Sequence, residues 1–293
     1  MYSTYYGLIR PPFEMTPDPS FLYLGETHRE GLATLVYGVQ KRKGFVLLTG
    51  EVGTGKTTLR HALLAQLDST TDSAFIFNPK LSVLDFFRML LDEFEIGVEC
   101  ETKADYLLAL NRFLIDRLKK NRTVLLIVDE AQNLSTEMLE EVRLLSNLET
   151  STSKLIQIML VGQPELNEML SRPELRQLRQ RIVLSHHLRP FDQREIDAYI
   201  DERLRLAGYT GKGIFKRSAR RELAAVTGGV PRLVNVVCDG ALLIGYGREQ
   251  LRLDAAIIQE VADGLHLIEN PVADTTGNGR SGRKRRGLLG LFG

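Results

Sequence analysis

The chain has 293 residues, 43% of them hydrophobic and 26% charged, with a formal net charge of +1. That balance excludes a fibrous or wholly disordered chain and leaves room for one large and one smaller globular domain. No run approaches 18 uninterrupted apolar residues and no charged-then-apolar leader opens the sequence, so neither a membrane span nor a signal peptide is expected.

Residues 1–27 form the first predicted unit, an arm rich in Tyr, Phe and Pro: Tyr5-Tyr6-Gly7-Leu8, Pro11-Pro12-Phe13, Pro17-Asp18-Pro19, Phe21 and Tyr23. Its prolines oppose a regular helix or a central strand, so order must come from the aromatics packing onto the core, with stacking on nucleic-acid bases the lesser alternative. A helix is predicted over 28–41, leading into the apolar run Phe45-Val46-Leu47-Leu48. Then comes Gly50-Glu51-Val52-Gly53-Thr54-Gly55-Lys56-Thr57-Thr58, a complete G-x-x-x-x-G-K-[ST] phosphate loop opening onto a helix-like stretch. Such a loop between strand and helix aims backbone N–H groups at an anion. Lys56 is expected on the β- and γ-phosphates of a nucleoside triphosphate and the Thr57 hydroxyl on Mg2+.

The next predicted elements are a strand at 74–77, ended by Asn78-Pro79, and helices at 82–95 and 104–120. In the second helix Leu107, Leu108, Leu110, Phe113, Leu114 and Leu118 read as the core stripe. The apolar run 123–128 reads as a strand buried on both faces and ends in Asp129-Glu130, 73 residues after Lys56. Asp129 is placed to bind Mg2+ beside Thr57, and Glu130 to act as the base for water attacking the γ-phosphate. A helix at 136–148 and strands at 155–161 and 182–184 complete a doubly wound parallel sheet, the nucleotide-binding domain at 28–190. From Asp192 the pattern is helical, giving a small lid domain at 191–267.

Residues 268–293 form a tail expected to be disordered. Arg280, Arg283, Lys284, Arg285 and Arg286 crowd before Leu288-Leu289-Gly290-Leu291-Phe292. Basic residues beside an apolar end suit a peripheral membrane contact through residues 280–293, with partner docking and plain disorder as alternatives. Removing those five cations from the 38 Lys and Arg leaves 33 against 37 Asp and Glu, so residues 1–279 carry −4. An acidic body argues against extended nucleic-acid wrapping but leaves a local basic groove open. Cys100 and Cys238, far apart and without ligand partners, read as free thiols in a reducing compartment, and His186-His187 as structural residues.

The phosphate loop, Asp129-Glu130-Ala131-Gln132 and the helical end together resemble AAA+ ATPases of the general secretion pathway A-type (ExeA-like) branch. Further likeness lies in Tyr6-Gly7-Leu8, Thr16-Pro17-Asp18-Pro19, His28-Arg29-Glu30, Gly162-Gln163-Pro164-Glu165-Leu166 and Gly229-Val230-Pro231-Arg232. Within that branch the sequence is most similar to the ATPase associated with exosortase/PEP-CTERM exopolysaccharide loci. Relatives continue into a transmembrane helix and a peptidoglycan-binding domain, so direct cell-wall binding is not expected of this sequence. The resemblance implies a P-loop fold of AAA+ type with a helical lid, hydrolysis of ATP with Mg2+, and a homo-oligomer. It also implies a cytoplasmic location at or near the inner face of the plasma membrane and partners among envelope secretion or polysaccharide-export proteins. Gln163 matches the sensor-1 position and Arg232 sensor 2. Arg181, or failing it Arg179, matches the arginine finger that reaches a neighbouring subunit's ATP, the alternative being a solvated charge run. The related DNA-transposition target-selection ATPases share these motifs and give the rival reading, a nucleotide-dependent interaction switch the third; His28 belongs to the arm motif and either packs or approaches the adenine.

Overall fold

A computed structural model of the chain describes residues 1–15, 21, 23–67, 69–77, 82–151 and 153–267. The expectations resting on residues 16–19, Leu22, Asn78-Pro79 and the tail at 268–293, including the membrane contact, lie outside the described residues. In chain order come α1 (Tyr2–Tyr5), α2 (Glu26–Gln40), β1 (Phe45–Gly50), α3 (Lys56–Gln66), β2 (Thr71–Ile76), α4 (Val83–Glu93) and α5 (Lys103–Lys119). They are followed by β3 (Thr123–Val128), α6 (Thr136–Leu145), β4 (Gln157–Gly162), α7 (Glu165–Leu170), α8 (Arg176–Arg181) and β5 (Ile182–Leu188). The last four are α9 (Gln193–Leu206), α10 (Arg217–Thr227), α11 (Pro231–Gly247) and α12 (Ala255–Gly264).

The five strands form one parallel sheet in the order β2-β3-β4-β1-β5. β1, β3 and β4 are central because both their faces are apolar. Phe45, Leu47, Leu126, Ile158 and Leu160 join the cluster under α4, α5 and α6, while Val46, Leu48, Leu125, Ile127 and Met159 meet α2 and α3 on the other face. The sheet is therefore wound on both sides, as expected, and all five strands point their C-terminal ends the same way.

Where the elements differ from expectation, the edges of the sheet explain it. β5 runs on through Ser185, His186 and His187 to Leu188, because an edge strand is covered on one face only: Ser185 and His187 turn outward while His186 turns in toward α2. β2 begins three residues earlier than its apolar part, at Thr71, where Asp72 accepts two hydrogen bonds from Arg122 at 2.7 and 2.8 Å. Leu108 is not core but exposed: the Thr102–Asp105 capping box sets the phase of α5, and Tyr106, Ala109, Leu110 and Leu114 take the inner face. α6 stops at Leu145, short of the predicted 148.

The arm packs its aromatics, but into the helical unit rather than against the sheet. Tyr6, Leu8, Phe13 and Phe21 share a buried cluster with Ile200, Phe215, Val234 and Leu242. Ile9 N–H donates to the Ala207 carbonyl at 2.8 Å, and the Arg203 guanidinium donates to the Pro12 carbonyl at 2.5 Å. Phe21 lies between two guanidinium groups, Arg10 at 4.0 Å and Arg203 at 4.4 Å from its ring centre. The one-turn α1 precedes the prolines, so they do not oppose it. No helix among the described residues is long and apolar enough to cross a membrane.

Candidate functional site

Residues 50–55 leave the end of β1, pass over the sheet and deliver the chain into α3. Gly53 (φ +81°) and Gly55 (φ +100°) hold left-handed backbone that a side chain would strain. There is no space for one either: a Cβ on Gly55 would sit 2.8 Å from His28 Nε2, and one on Gly53 2.8 Å from Arg232 Cβ. No side chain caps the N-terminus of α3, so its first N–H groups face the loop's concavity, the arrangement that receives an anion. Lys56 is buried and folds its ammonium back on the loop, donating to the Gly50 carbonyl at 2.7 Å and the Glu51 carbonyl at 3.1 Å. Burial lowers its pKa, opposed by the nearby Glu130 and Asp129 carboxylates.

Asp129 and Glu130 follow the end of β3, Gln163 the end of β4, and the phosphate loop the end of β1. The strand order thus sets β4 and Gln163 between the two acidic residues and the loop. Asp129 is buried, which raises its pKa; its Oδ1 accepts from Glu130 N–H at 2.9 Å and its Oδ2 from Arg60 at 3.1 Å. The Arg60 guanidinium lies 4.1 Å over the Phe75 ring. Glu130 has φ +50°, unusual for a residue with a side chain. Its Oε2 accepts from Gln132 Nε2 at 2.6 Å and from Gln163 Nε2 at 3.3 Å.

A cavity of about 710 Å³ unites these groups: Lys56, Thr57, Asp129, Glu130, Gln163 and Arg232 all line it. Arg232 comes from the helical unit, and its backbone N–H donates to the Gly53 carbonyl at 3.3 Å. Part of its lining is aromatic, built of Tyr23, His28, Phe191 and Tyr199, whose rings meet at centroid distances of 5.3 to 5.6 Å, with His28 set against the phosphate loop. Cavities pairing a few polar groups with an apolar slot suit a ligand with a charged and a flat end. His28 is buried and shares a hydrogen bond with the Thr54 carbonyl at 2.8 Å; burial lowers its pKa.

Mg2+ is the metal this arrangement suits. The Thr57 hydroxyl and the Asp129 carboxylate are hard oxygen donors facing the same cavity, and Mg2+ takes one or two such groups with phosphate oxygens and water. Among the described residues there is no group of three or more His, Cys, Asp or Glu placed to hold a metal by itself. His186 instead meets the Thr27 carbonyl at 2.8 Å, and His187 the Thr49 hydroxyl at 3.0 Å. Both cysteines are free thiols, Cys238 buried and Cys100 half-buried.

Two residues lie away from the cavity. Ile182 pairs with Phe45 at the start of β1, so Arg181 sits at the end of the sheet opposite the loop, five residues or about 17 Å from Gly50. Arg181 hydrogen-bonds the Ser146 hydroxyl, whereas Arg179 is exposed and without a side-chain hydrogen bond or ion pair among the described residues. Neither is among the residues lining this chain's own cavity. Motif reading missed Arg60, Gln132, Phe191 and Tyr199, whereas it offered His28 as a residue that either packs or approaches the adenine. No motif covers Arg60, while Gln132 stood within the quoted Asp129–Gln132 run without a role.

Residues 39–170 match the AAA domain family. General secretion pathway protein A of Aeromonas hydrophila is 45% identical over 249 residues, covering 85% of this chain and 45% of that protein, so the chain spans under half the length of the curated relative it matches. Among solved structures, the ORC2 protein of Aeropyrum pernix superposes with a TM-score of 0.62 at 16% identity, covering 87% of this chain and 71% of its own. CDC6P of Pyrobaculum aerophilum gives 0.63 at 16%, covering 85% and 71%. The Thermotoga maritima RuvB Holliday junction branch migration motor gives 0.53 at 18%, covering 83% and 70%. The fold is the parallel α/β fold of P-loop proteins of AAA type.

Proposed function

From an AAA domain at residues 39–170, we propose that this chain binds and hydrolyses ATP with Mg2+, and that turnover drives or regulates an envelope secretion system, in particular one exporting exopolysaccharide. The observation that carries the ATPase reading is the meeting of Lys56, Thr57, Asp129, Glu130, Gln163 and Arg232 around one cavity with an aromatic slot beside it. The secretion role rests on the 45% identity to General secretion pathway protein A; the exopolysaccharide role rests on the sequence resemblance alone.

In this reading the loop N–H groups and Lys56 cradle the β- and γ-phosphates, and the base lies against the aromatic wall. Mg2+, held by Thr57 and Asp129, supplies positive charge to the phosphate oxygens when bound. Glu130 accepts the proton of the attacking water, Gln163 orients that water, and Arg232 brings charge from the helical unit to the γ-phosphate. Arg179 or Arg181 completes the site of a neighbouring copy, which makes a homo-oligomer the active form. A cytoplasmic location and a peripheral membrane contact through residues 280–293 belong to the same proposal.

Two variants test it. Lys56→Ala is expected to lose ATP binding, and Glu130→Gln to keep binding while losing hydrolysis by about 100-fold or more, the usual contribution of a general base. A Glu130→Gln protein that turns ATP over at the wild-type rate would falsify the assignment of the base. For the wider role, deleting the gene should reduce exported polysaccharide; unchanged export with lost ATP-dependent DNA binding would favour the DNA-transposition reading instead.

A further inference from the structure

The Glu130 carboxylate is held by two neighbours, and one of them belongs to no phosphate-binding or metal-binding motif. Gln132 lies in the short 3-10 turn Ala131–Asn133 that follows Glu130, half-buried. Its two amide ends face different partners. Oε1 accepts the backbone N–H of Gln163 at 3.1 Å, and Nε2 donates to Glu130 Oε2 at 2.6 Å. A backbone N–H can only donate, so the oxygen must face β4 and the NH2 must face the carboxylate; the orientation of the amide follows from chemistry.

The surroundings accommodate this bridge. A Cβ on Gly162 would come within 2.7 Å of Gln132 Oε1, so the end of β4 lets the amide approach only because residue 162 has no side chain. Glu130 itself sits at φ +50° and ψ 38°, a left-handed conformation that a residue with a side chain keeps only where the surroundings hold it. That backbone turns its side chain back toward Gln132 and Gln163, whose own Nε2 reaches the same oxygen at 3.3 Å. The bond from Gln132 is the shorter of the two.

We propose that Gln132 is a positioning residue: it bridges the end of β4 to Glu130 and keeps that carboxylate aimed at the water it deprotonates. The proposal rests on the reading of Glu130 as the base. Because Gln132 also holds the Gln163 backbone, it fixes the spacing between the base and the residue that orients the water. Gln132 is not among the residues lining the cavity with the phosphate loop, so the role proposed for it is on Glu130 and not on the nucleotide.

The test uses the full chain and steady-state hydrolysis of Mg·ATP. Gln132→Glu keeps the shape and the acceptor for Gln163 N–H but replaces the donor facing Glu130 with a second carboxylate; Gln132→Met keeps the length and removes both bonds. Both are expected to lower kcat by about tenfold or more with KM for ATP within about twofold, the split expected when only the aim of a general base is lost. In a Glu130→Gln background, Gln132→Glu should slow turnover no further, since residues acting as a unit are not additive. Wild-type kcat in both single variants overturns the proposal. So does a fall in kcat accompanied by a raised KM and a lowered melting temperature, which is the mark of a packing role. Where Glu130→Gln alone is as active as wild type, the reading of the base fails and this proposal with it; where Glu130→Gln is inactive but the Gln132 variants are normal, only this proposal fails.

Discussion

Gly228 and Gly229 are adjacent, both have positive φ, and they should respond to alanine very differently. Gly228 closes α10 at φ +55° with no atom within 4 Å of where a Cβ would lie. Gly229, at φ +77°, would place its Cβ 2.0 Å from the Phe191 carbonyl oxygen, 3.0 Å from its carbon and 3.1 Å from its nitrogen. Alanine at either site costs about 1–2 kcal/mol for left-handed backbone. Only at Gly229 must the main chain at Phe191 also give way, by more than an ångström, and overpacking of that kind adds about 1–3 kcal/mol. The displaced segment includes the 2.9 Å bond from Phe191 N–H to the Gly229 carbonyl, three residues before Arg232. At about 2–4 °C per kcal/mol for a domain of this size, Gly229→Ala should melt about 2–12 °C below Gly228→Ala. It should also weaken ATP binding, since Phe191 and Arg232 both line the cavity. Thermal denaturation by circular dichroism and calorimetric ATP titration measure the two effects. Equal melting temperatures and equal ATP affinities for the two variants would refute the reasoning, because they would mean that Phe191 does not pin Gly229.

Further outcomes follow from the same geometry. Arg179→Ala should depress turnover while leaving ATP affinity intact, and mixing it with Lys56→Ala protein should restore part of the activity; full specific activity in a protein that stays monomeric with Mg·ATP would end the idea of a finger in trans. Arg181→Ala, which also removes the bond to Ser146, should lower the melting temperature as well, so comparing the two variants separates finger from brace. The Tyr6 hydroxyl, whose pKa is pushed up to about 12 by burial and then by Tyr5, donates to the Gln250 carbonyl at 3.0 Å. With the folded pKa above the unfolded value of 10.0, its contribution is complete below pH 10 and is lost as pH rises toward 12. Urea titrations should therefore show a shallower alkaline loss of stability in Tyr6→Phe, and identical slopes would contradict it.

Much of the site was legible because its chemistry sits in two unbroken segments. Gly50 to Thr58 and Val128 to Glu130 each combine a strand end with the residues it presents, so spacing alone places Lys56, Thr57 and Asp129 near one another. What required the fold was the rest. The wall of Tyr23, His28, Phe191 and Tyr199 joins positions about 170 residues apart, and of these only His28 was marked by its own segment as able to approach a ligand. Arg60 reads as one more polar helix position until α3 and β3 bring it onto Asp129. The choice between Arg179 and Arg181 turns on Ser146, a residue in another element. At the sheet margins, His186 and His187 read as a strand-like stretch but not as part of the strand at 182–184, because only one face of β5 is covered and the apolar signal halves.

The packing of the arm has a consequence for how the protein is made. Phe13 and Phe215 meet with ring centres 6.0 Å apart, yet 202 residues separate them in the chain. At a ribosome's pace of about 5–20 residues per second, Phe13 emerges on the order of 10 to 40 seconds before Phe215 exists. The sheet domain, whose strands and helices all lie between them, can form in that interval, while Tyr6, Leu8, Phe13 and Phe21 still lack the later part of their cluster, Phe215, Val234 and Leu242 among it. A nascent chain thus carries an adhesive aromatic segment until the helices from α9 to α12 have been made. That interval is when a chaperone would find it, and the last helices are what withdraw it from reach.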